Sequence, residues 1–275
     1  MQTLIQIYAG MHHSSAICGE QTIHNRTCKT YATIAEICGM RFQNISNSLK
    51  DTINLFYPDL CAACDSILVR GETGICAACV MELPRTFDET NPGDSRTAKI
   101  FAGRIPVKYA CALFAFQKQS KVQELLHRIK YESRREAGET CGALMAEIFN
   151  AHNRFNEIDI VIPVPLHPKK LAKRGYNQAE VVARGVGEQL NKPMLPKALE
   201  RVHYNDSQTT KGRMSRMESV EGLFRVRLEE QLKNKHVLIV DDVITTGATI
   251  EACIQPLLAI PGITVSIAAL AAAHQ

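Results

Sequence analysis

The residues best placed to do chemistry lie at 237–249, Val-Leu-Ile-Val-Asp-Asp-Val-Ile-Thr-Thr-Gly-Ala-Thr. An apolar run of strand length delivers Asp241 and Asp242 at its carboxyl end, and a hydroxyl- and glycine-rich turn then opens a helix. Such a turn directs backbone N–H groups at an anion, helped by the positive end of the helix. Thr245, Thr246 and Thr249 add hydroxyl donors, and Gly247, followed by Ala248, lets the backbone approach closely. Carboxylates beside an anion nest suit sugar hydroxyls or Mg²⁺. The whole set fits a ribose 5-phosphate. No Lys follows the glycine, so this is not a Walker A loop, and the three-glycine spacing of a dinucleotide fingerprint is missing. A structural turn with incidental carboxylates is a poor account, because adjacent Asp side chains repel.

A second constellation is Cys61-Ala-Ala-Cys64 followed by Cys76-Ala-Ala-Cys79. A two-residue gap lets both sulfurs of a pair reach one ion about 2.3 Å away, and two such knuckles supply four thiolates. With no vacant position, a zinc ion held there stabilises a small module rather than doing chemistry. Four thiolates could also hold an iron–sulfur cluster, and a Cys-x-x-Cys pair could cycle as a redox couple. Cys18, Cys28 and Cys38 have no second ligand nearby, and Cys111, Cys141 and Cys253 sit in apolar patterns as small hydrophobes.

The elements that must position these groups follow from periodicity. Lys108–Phe116, Ile158–Val164, His236–Val240 and Ile263–Leu270 read as strands, two of them buried apolar runs. Ser120–Tyr131, Glu136–Phe155, Asn177–Leu190 and a segment from about Ala248 to Ala259 read as helices, with short strands near Leu195 and Val202. Strands alternating with helices predict an α/β fold with a parallel sheet flanked by helices, whose ligands bind beyond the carboxyl ends of the strands. Residues 53–86 form the cysteine module, 88–96 read as a linker because of Asn91-Pro92-Gly93-Asp94, and the α/β domain spans 100–275. Residues 1–50 show no sustained period and are expected to be an extension, with translation from Met40 one explanation.

Composition fits this outline. The 275 residues are 45% apolar and 22% charged with no Trp, which excludes collagen-like, disordered and coiled-coil chains. No apolar run approaches the ~18 residues of a membrane span. Ten cysteines, with no Lys or Arg before Arg26 to start a secretory signal, point to reduced thiols and a cytosolic location. The net charge is only +4, but Lys169–Lys235 carries 15 Lys and Arg against 8 Asp and Glu. That local surplus suits a phosphate-rich ligand or a nucleic acid, although a solvated helical face would show it too.

The segment 237–249 resembles the phosphoribosyl pyrophosphate signature of type I phosphoribosyltransferases. Ile162-Pro163-Val164-Pro165-Leu166-His167 resembles their pyrophosphate loop. Arg174-Gly175-Tyr176-Asn177-Gln178 matches the RG[FY]NQ box of the ComF family, and Ser207-Gln208, Arg216, Val220 and Gly222-Leu223-Phe224 match its segment before the last ribose-binding strand. The double knuckle is that family's amino-terminal feature, so the resemblance runs from about Ile53 onward. Lys170, Lys211 and Ser219 depart from its commonest residues. The resemblance implies a type I phosphoribosyltransferase-like fold preceded by a zinc ribbon, and binding of phosphoribosyl pyrophosphate with Mg²⁺. It implies ribose contacts from Asp241 and Asp242, a 5-phosphate cradle at Thr245–Thr249, and pyrophosphate contacts after Pro163-Val164-Pro165. Arg174 joins the two carboxylates as an expected catalytic residue. Lys170, Tyr176, Asn177, Gln178, Gln208, Arg213 and Arg216 are expected to face the acceptor. The same resemblance implies a role in DNA uptake and competence. An alternative is a non-catalytic competence factor that binds nucleotide or single-stranded DNA beside a helicase partner, with Tyr176, Tyr204 and Phe224 as stacking residues.

Overall fold

The computed structural model describes residues 58–152, 155–202 and 222–273, so the expectations for residues 1–50 fall outside the described residues. After the cysteine segment comes α1 (Ala77–Glu82), and then α2 (Arg96–Phe101), capped by the Ser95 hydroxyl, which accepts from the Ala98 N–H at 2.8 Å. Strand β1 (Ala110–Ala115) leads to α3 (Lys121–Tyr131) and α4 (Arg135–Ala151). Strand β2 (Ile160–Pro163) is followed by α5 (Pro168–Arg174) and α6 (Gln178–Leu190). A small ribbon, β3 (Leu199–Arg201) with β4 (Phe224–Val226), precedes the one-turn α7 (Glu229–Leu232). Last come β5 (His236–Ile244), α8 (Ala248–Ile254) and β6 (Thr264–Ala272).

The expected parallel sheet is present, in the order β1-β6-β5-β2, with β3 and β4 forming a separate antiparallel pair. Both faces are covered. Leu238, Val240, Ala268 and Leu270 pack toward α3, α4 and α6, while Val237, Ile239, Ile267 and Ala269 pack on the face that includes α2 and α8. Helices α4 and α6 approach closely because glycines meet backbone there. A Cβ on Gly142 would sit 2.2 Å from the Val182 carbonyl oxygen, and one on Gly185 2.1 Å from that of Glu139. Residues from Pro58 onward make one compact unit, and Cys61, Ala62, Ile75 and Leu83 share a core with Leu125, Ile129 and Cys141.

Five features differ from the sequence reading. The 88–96 segment is packed structure. A 3-10 turn at Asp88–Thr90 buries Asp88, whose carboxylate accepts from the Ala112 N–H at 3.1 Å and from Thr97. Beside it, Pro84–Thr86 runs along the free edge of β1, with Ala115 N–H donating to the Pro84 carbonyl at 2.8 Å, which covers an edge strand. The strand at 236 continues through both aspartates to Ile244, because β6 pairs with it as far as Ala272. The final helix stops at Ile254, as Pro256 cannot donate into a longer helix, and a 3-10 turn at Leu257–Ala259 follows. Lys169–Arg174, mostly cationic, forms the exposed helix α5 that no apolar period announced. The strand expected near Leu195 is a single bridge between Met194 and Val161.

Candidate phosphoribosyl site and cysteine centre

Asp241 and Asp242 project from the last residues of β5. The Asp242 carboxylate meets the Lys130 ammonium at 3.1 Å, with side-chain exposures of 14% and 19%. Asp241 accepts from the Asp242 N–H at 2.8 Å and is half-buried. Burial, and then the Asp242 charge, push its carboxyl up to about 8, while Lys130 and Arg201 pull it down. The strand end therefore holds two carboxyl groups, with Asp241 mainly protonated at neutral pH, and two cations, where ribose hydroxyls would find hydrogen-bond partners and an anion would find charge.

The turn after β5 is built for a close approach. Thr245, Thr246, Ala248 and Thr249 are exposed, whereas Gly247 is buried with φ 77° as the N-cap of α8. The first N–H groups of a helix have no partner within it, so the turn presents donors to an incoming anion. The loop is held from below: the Arg104 guanidinium donates to the Thr246 carbonyl at 2.9 Å and pairs with Glu251, and Phe101 packs under Gly247. Nothing in the sequence near 245 signals Arg104 or Phe101, since both lie in the stretch around α2, far away along the chain.

On the neighbouring strand, Pro163 ends β2 and the Val164 N–H donates to the Val240 carbonyl at 2.9 Å, which sets the next residues beside the aspartates. Val164 is buried, and Pro165, Leu166 and His167 are half-buried on the way to α5. His167 caps α5, its Nδ1 accepting from the Lys169 N–H at 3.1 Å. Burial first, then Arg201, Lys169 and Lys170, push the His167 pKa down, so its imidazole is neutral at neutral pH.

The RG[FY]NQ box is spent on positioning. Arg174 donates to Gln178 Oε1 at 2.7 Å and to the Tyr131 hydroxyl at 3.3 Å, with its guanidinium carbon 5.1 Å from the Tyr131 ring. Asn177 caps α6 through its oxygen and donates its amide to the Val164 carbonyl at 3.0 Å, tying the helix to the end of β2. The acceptor contacts expected of Tyr176 and Gln178 are corrected by burial. Gln178 is 1% exposed, with its amide nitrogen on the Tyr176 carbonyl, and Tyr176 is 8% exposed, with its hydroxyl on the Ile129 carbonyl. Phe224 is buried too, so neither it nor Tyr176 is available for stacking. Lys170 is exposed on α5. Gln208, Arg213, Arg216 and Tyr204 lie outside the described residues. Sequence reasoning missed Lys130: its signal was one of two cations, with Arg128, in the last turn of an amphipathic helix, which a solvated face would also produce.

The four cysteine sulfurs of Cys61, Cys64, Cys76 and Cys79 all lie within 4.8 Å of one another, and those of Cys64 and Cys76 are 3.8 Å apart. Bonds of about 2.3 Å to one tetrahedral ion give an edge of about 3.8 Å, so the set fits. Backbone N–H groups already point at sulfur: Ala63 and Cys76 donate to Cys61 at 3.4 and 3.3 Å, and Cys79 to Cys76 at 3.4 Å. Ser66 pulls the Cys64 thiol down to about 6, while burial pushes Cys76 and Cys79 up. Arg128 of α3 then clamps this segment, donating to the Cys61 carbonyl at 3.3 Å and to Asp65 at 2.6 Å. Cys111, Cys141 and Cys253 are buried, and burial raises their thiol pKa values. Among the described residues no helix is long and apolar enough to cross a membrane.

Comparison with known proteins places this geometry in context. The model of the phosphoribosyl transferase domain matches residues 130–275, more than half of the chain. The DNA utilization protein YhgH of Escherichia coli K12 is 27% identical over 213 residues, covering 74% of this chain and 92% of that protein. Competence protein F of Haemophilus influenzae is 28% identical over 147 residues, covering 53% of this chain and 59% of that one. A glutamine phosphoribosylpyrophosphate amidotransferase from Bacillus subtilis overlaps 52% of this chain and 30% of its own, at 19% identity and a TM-score of 0.36.

Proposed function

The chain belongs to the phosphoribosyl transferase domain family, and from that premise we propose that the ends of β5 and β2 bind phosphoribosyl pyrophosphate with Mg²⁺ and transfer its phosphoribosyl group. The observation that carries the reading is the pairing of Asp241 and Asp242 with an N–H-rich turn on one side and the turn after Pro163 on the other. Asp241 and Asp242 hold the ribose hydroxyls, Thr245–Thr249 hold the 5-phosphate, and backbone N–H groups after Pro165 hold the pyrophosphate. The C1–oxygen bond breaks with its electron pair leaving on pyrophosphate, and the acceptor's lone pair forms the new bond at C1. Positive charge grows on the ribose and negative charge on the leaving group, so alignment and neutralisation matter more than a strong base. Lys130, Arg201 and Lys170 are the cations near the strand ends, and Arg174 positions Tyr131 and α6. When bound, Mg²⁺ supplies further neutralisation of pyrophosphate oxygens. We assign a structural zinc ion to the four thiolates, because one tetrahedral ion fits sulfurs this close.

The names of the relatives support a place for this chemistry in DNA utilisation and competence. Direct single-stranded DNA binding beside a helicase is less well supported, since Tyr176 and Phe224 are buried. Calorimetry tests the main reading. Phosphoribosyl pyrophosphate with Mg²⁺ binds the wild type, and the Asp241→Asn/Asp242→Asn variant loses that binding. No heat of binding from the wild type would sink the proposal.

A further inference from the structure

A loop that holds a phosphate must turn its N–H groups toward the anion and keep its carbonyl oxygens away, and between β5 and α8 one peptide governs this. Among the described residues the Gly247 N–H makes no hydrogen bond. The backbone of Gly247, φ 77° and ψ −8°, is that of the third residue of a type II turn. Turning the Thr246–Gly247 peptide over gives the commoner type I geometry, which glycine accepts as readily. The peptide is trans and planar, so its C=O and N–H point to opposite sides. A flip would bring the Thr246 carbonyl oxygen to the face an anion approaches and carry the N–H away from it.

Arg104 holds this peptide in one of its two states. It lies in the turn after α2, where its guanidinium donates to the Thr246 carbonyl at 2.9 Å and to the Ile100 carbonyl at 3.1 Å. The side chains of Ile100 and Phe101 lie against Gly247. The Thr246 carbonyl thus faces α2, and the Gly247 N–H faces the open side of the turn. Phe101 is fully buried, so the element carrying the guanidinium is itself fixed. A second contact acts on charge. Glu251 stands in the first turn of α8, where its carboxylate would repel a phosphate. Arg104 pairs with that carboxylate, the only ion pair Glu251 makes among the described residues.

Resting on the phosphoribosyl transfer reading above, we propose that Arg104 is a positioning residue for the 5-phosphate, locking the Thr246–Gly247 peptide with its N–H toward the anion. Donors fixed in advance cost no rearrangement when the ligand arrives. The effect is confined to one end of the ligand. The pyrophosphate turn follows β2, and no hydrogen bond or ion pair of Arg104 reaches it.

Phosphorus NMR of bound phosphoribosyl pyrophosphate with Mg²⁺ reads both ends of one molecule, and calorimetry reads its affinity. The variants are Arg104→Ala and Arg104→Met, which keeps the apolar stem should the shorter side chain fail to fold. Losing a charged hydrogen-bond donor should weaken binding roughly tenfold or more. At saturation the 5-phosphate resonance should move toward its free position, while both pyrophosphate resonances keep their wild-type bound positions. Arg104→Lys retains a donor for the Thr246 carbonyl and a charge for Glu251, and should recover most of the affinity. Circular dichroism reports that each variant is folded. Affinity unchanged in the folded variants, all resonances moving together, or no recovery with Arg104→Lys overturns this inference alone. A wild type that takes no phosphoribosyl pyrophosphate overturns the transfer reading on which it rests.

Discussion

Replacing Gly247 with Ala, and separately Gly175 with Ala, isolates what the floor of the phosphate loop contributes. The two glycines have nearly the same backbone, φ 77° and φ 79°. Each substitution therefore carries the same left-handed penalty, roughly 1–2 kcal/mol. Their surroundings differ. A Cβ at Gly175 meets nothing within 4 Å, whereas one at Gly247 would lie 2.8 Å from Phe101 Cε1 and 2.9 Å from Ile100 Cγ2. Overpacking of that kind adds about 1–3 kcal/mol. Gly247→Ala should thus cost about 2–5 kcal/mol in all, against roughly 1–2 kcal/mol for Gly175→Ala. For a unit of this size about 2–4 °C accompany each kcal/mol, so Gly247→Ala should melt roughly 2–12 °C below Gly175→Ala. Thermal unfolding by circular dichroism reads the difference. The displaced loop should also bind phosphoribosyl pyrophosphate at least tenfold more weakly. Equal melting points for the two variants would refute the close packing of α2 beneath the loop.

Two further outcomes are expected. Asp241 has a folded pKa raised to about 8 from 3.8, so its contribution to stability is complete below about pH 4 and is lost as the pH climbs toward 8. Asp241→Asn should accordingly gain stability over the wild type between pH 5 and 8, by no more than about 1.4 kcal/mol per pH unit, while losing ligand binding; a gap that does not change with pH would contradict the buried carboxyl. Stripping the metal from the four thiolates with a chelator should lower the melting temperature by roughly 10 °C or more and weaken phosphoribosyl pyrophosphate binding too. The second effect follows because Arg128 and Lys130 share one helix, and unchanged affinity after verified metal loss would break that link.

The parts of this protein visible in its sequence are those where local chemistry and position coincide. Asp241 to Thr249 announced themselves because strand, carboxylates, glycine and hydroxyls are consecutive, and the knuckles because their spacing is short. Asn177 at the start of α6 was legible as a cap, though its second bond to Val164 was not. Residues whose role depends on tertiary contact were hidden. Lys130 and Arg104 look like ordinary surface cations until the fold brings them to Asp242 and Thr246. The 88–96 stretch misled for a related reason: Asn, Pro, Gly and Asp mark turns, and nothing local shows that Asp88 will be buried against β1. Tyr176 and Gln178 erred in the other direction, since polar groups near a motif suggest ligand contact while burial commits them to backbone partners.

The clamp between Arg128 and the cysteine segment also bears on the order in which the protein assembles during synthesis. Residues 61–79 leave the ribosome before α3 has been made, so the knuckles can gather their ion while the core they will cover does not yet exist. When α3 follows, it meets a finished surface, with the Cys61 carbonyl and Asp65 in place to receive Arg128. A chain deprived of metal at that moment would present Leu125 and Ile129 to a shapeless partner. Metal supply would then govern the yield of folded protein as well as its endurance.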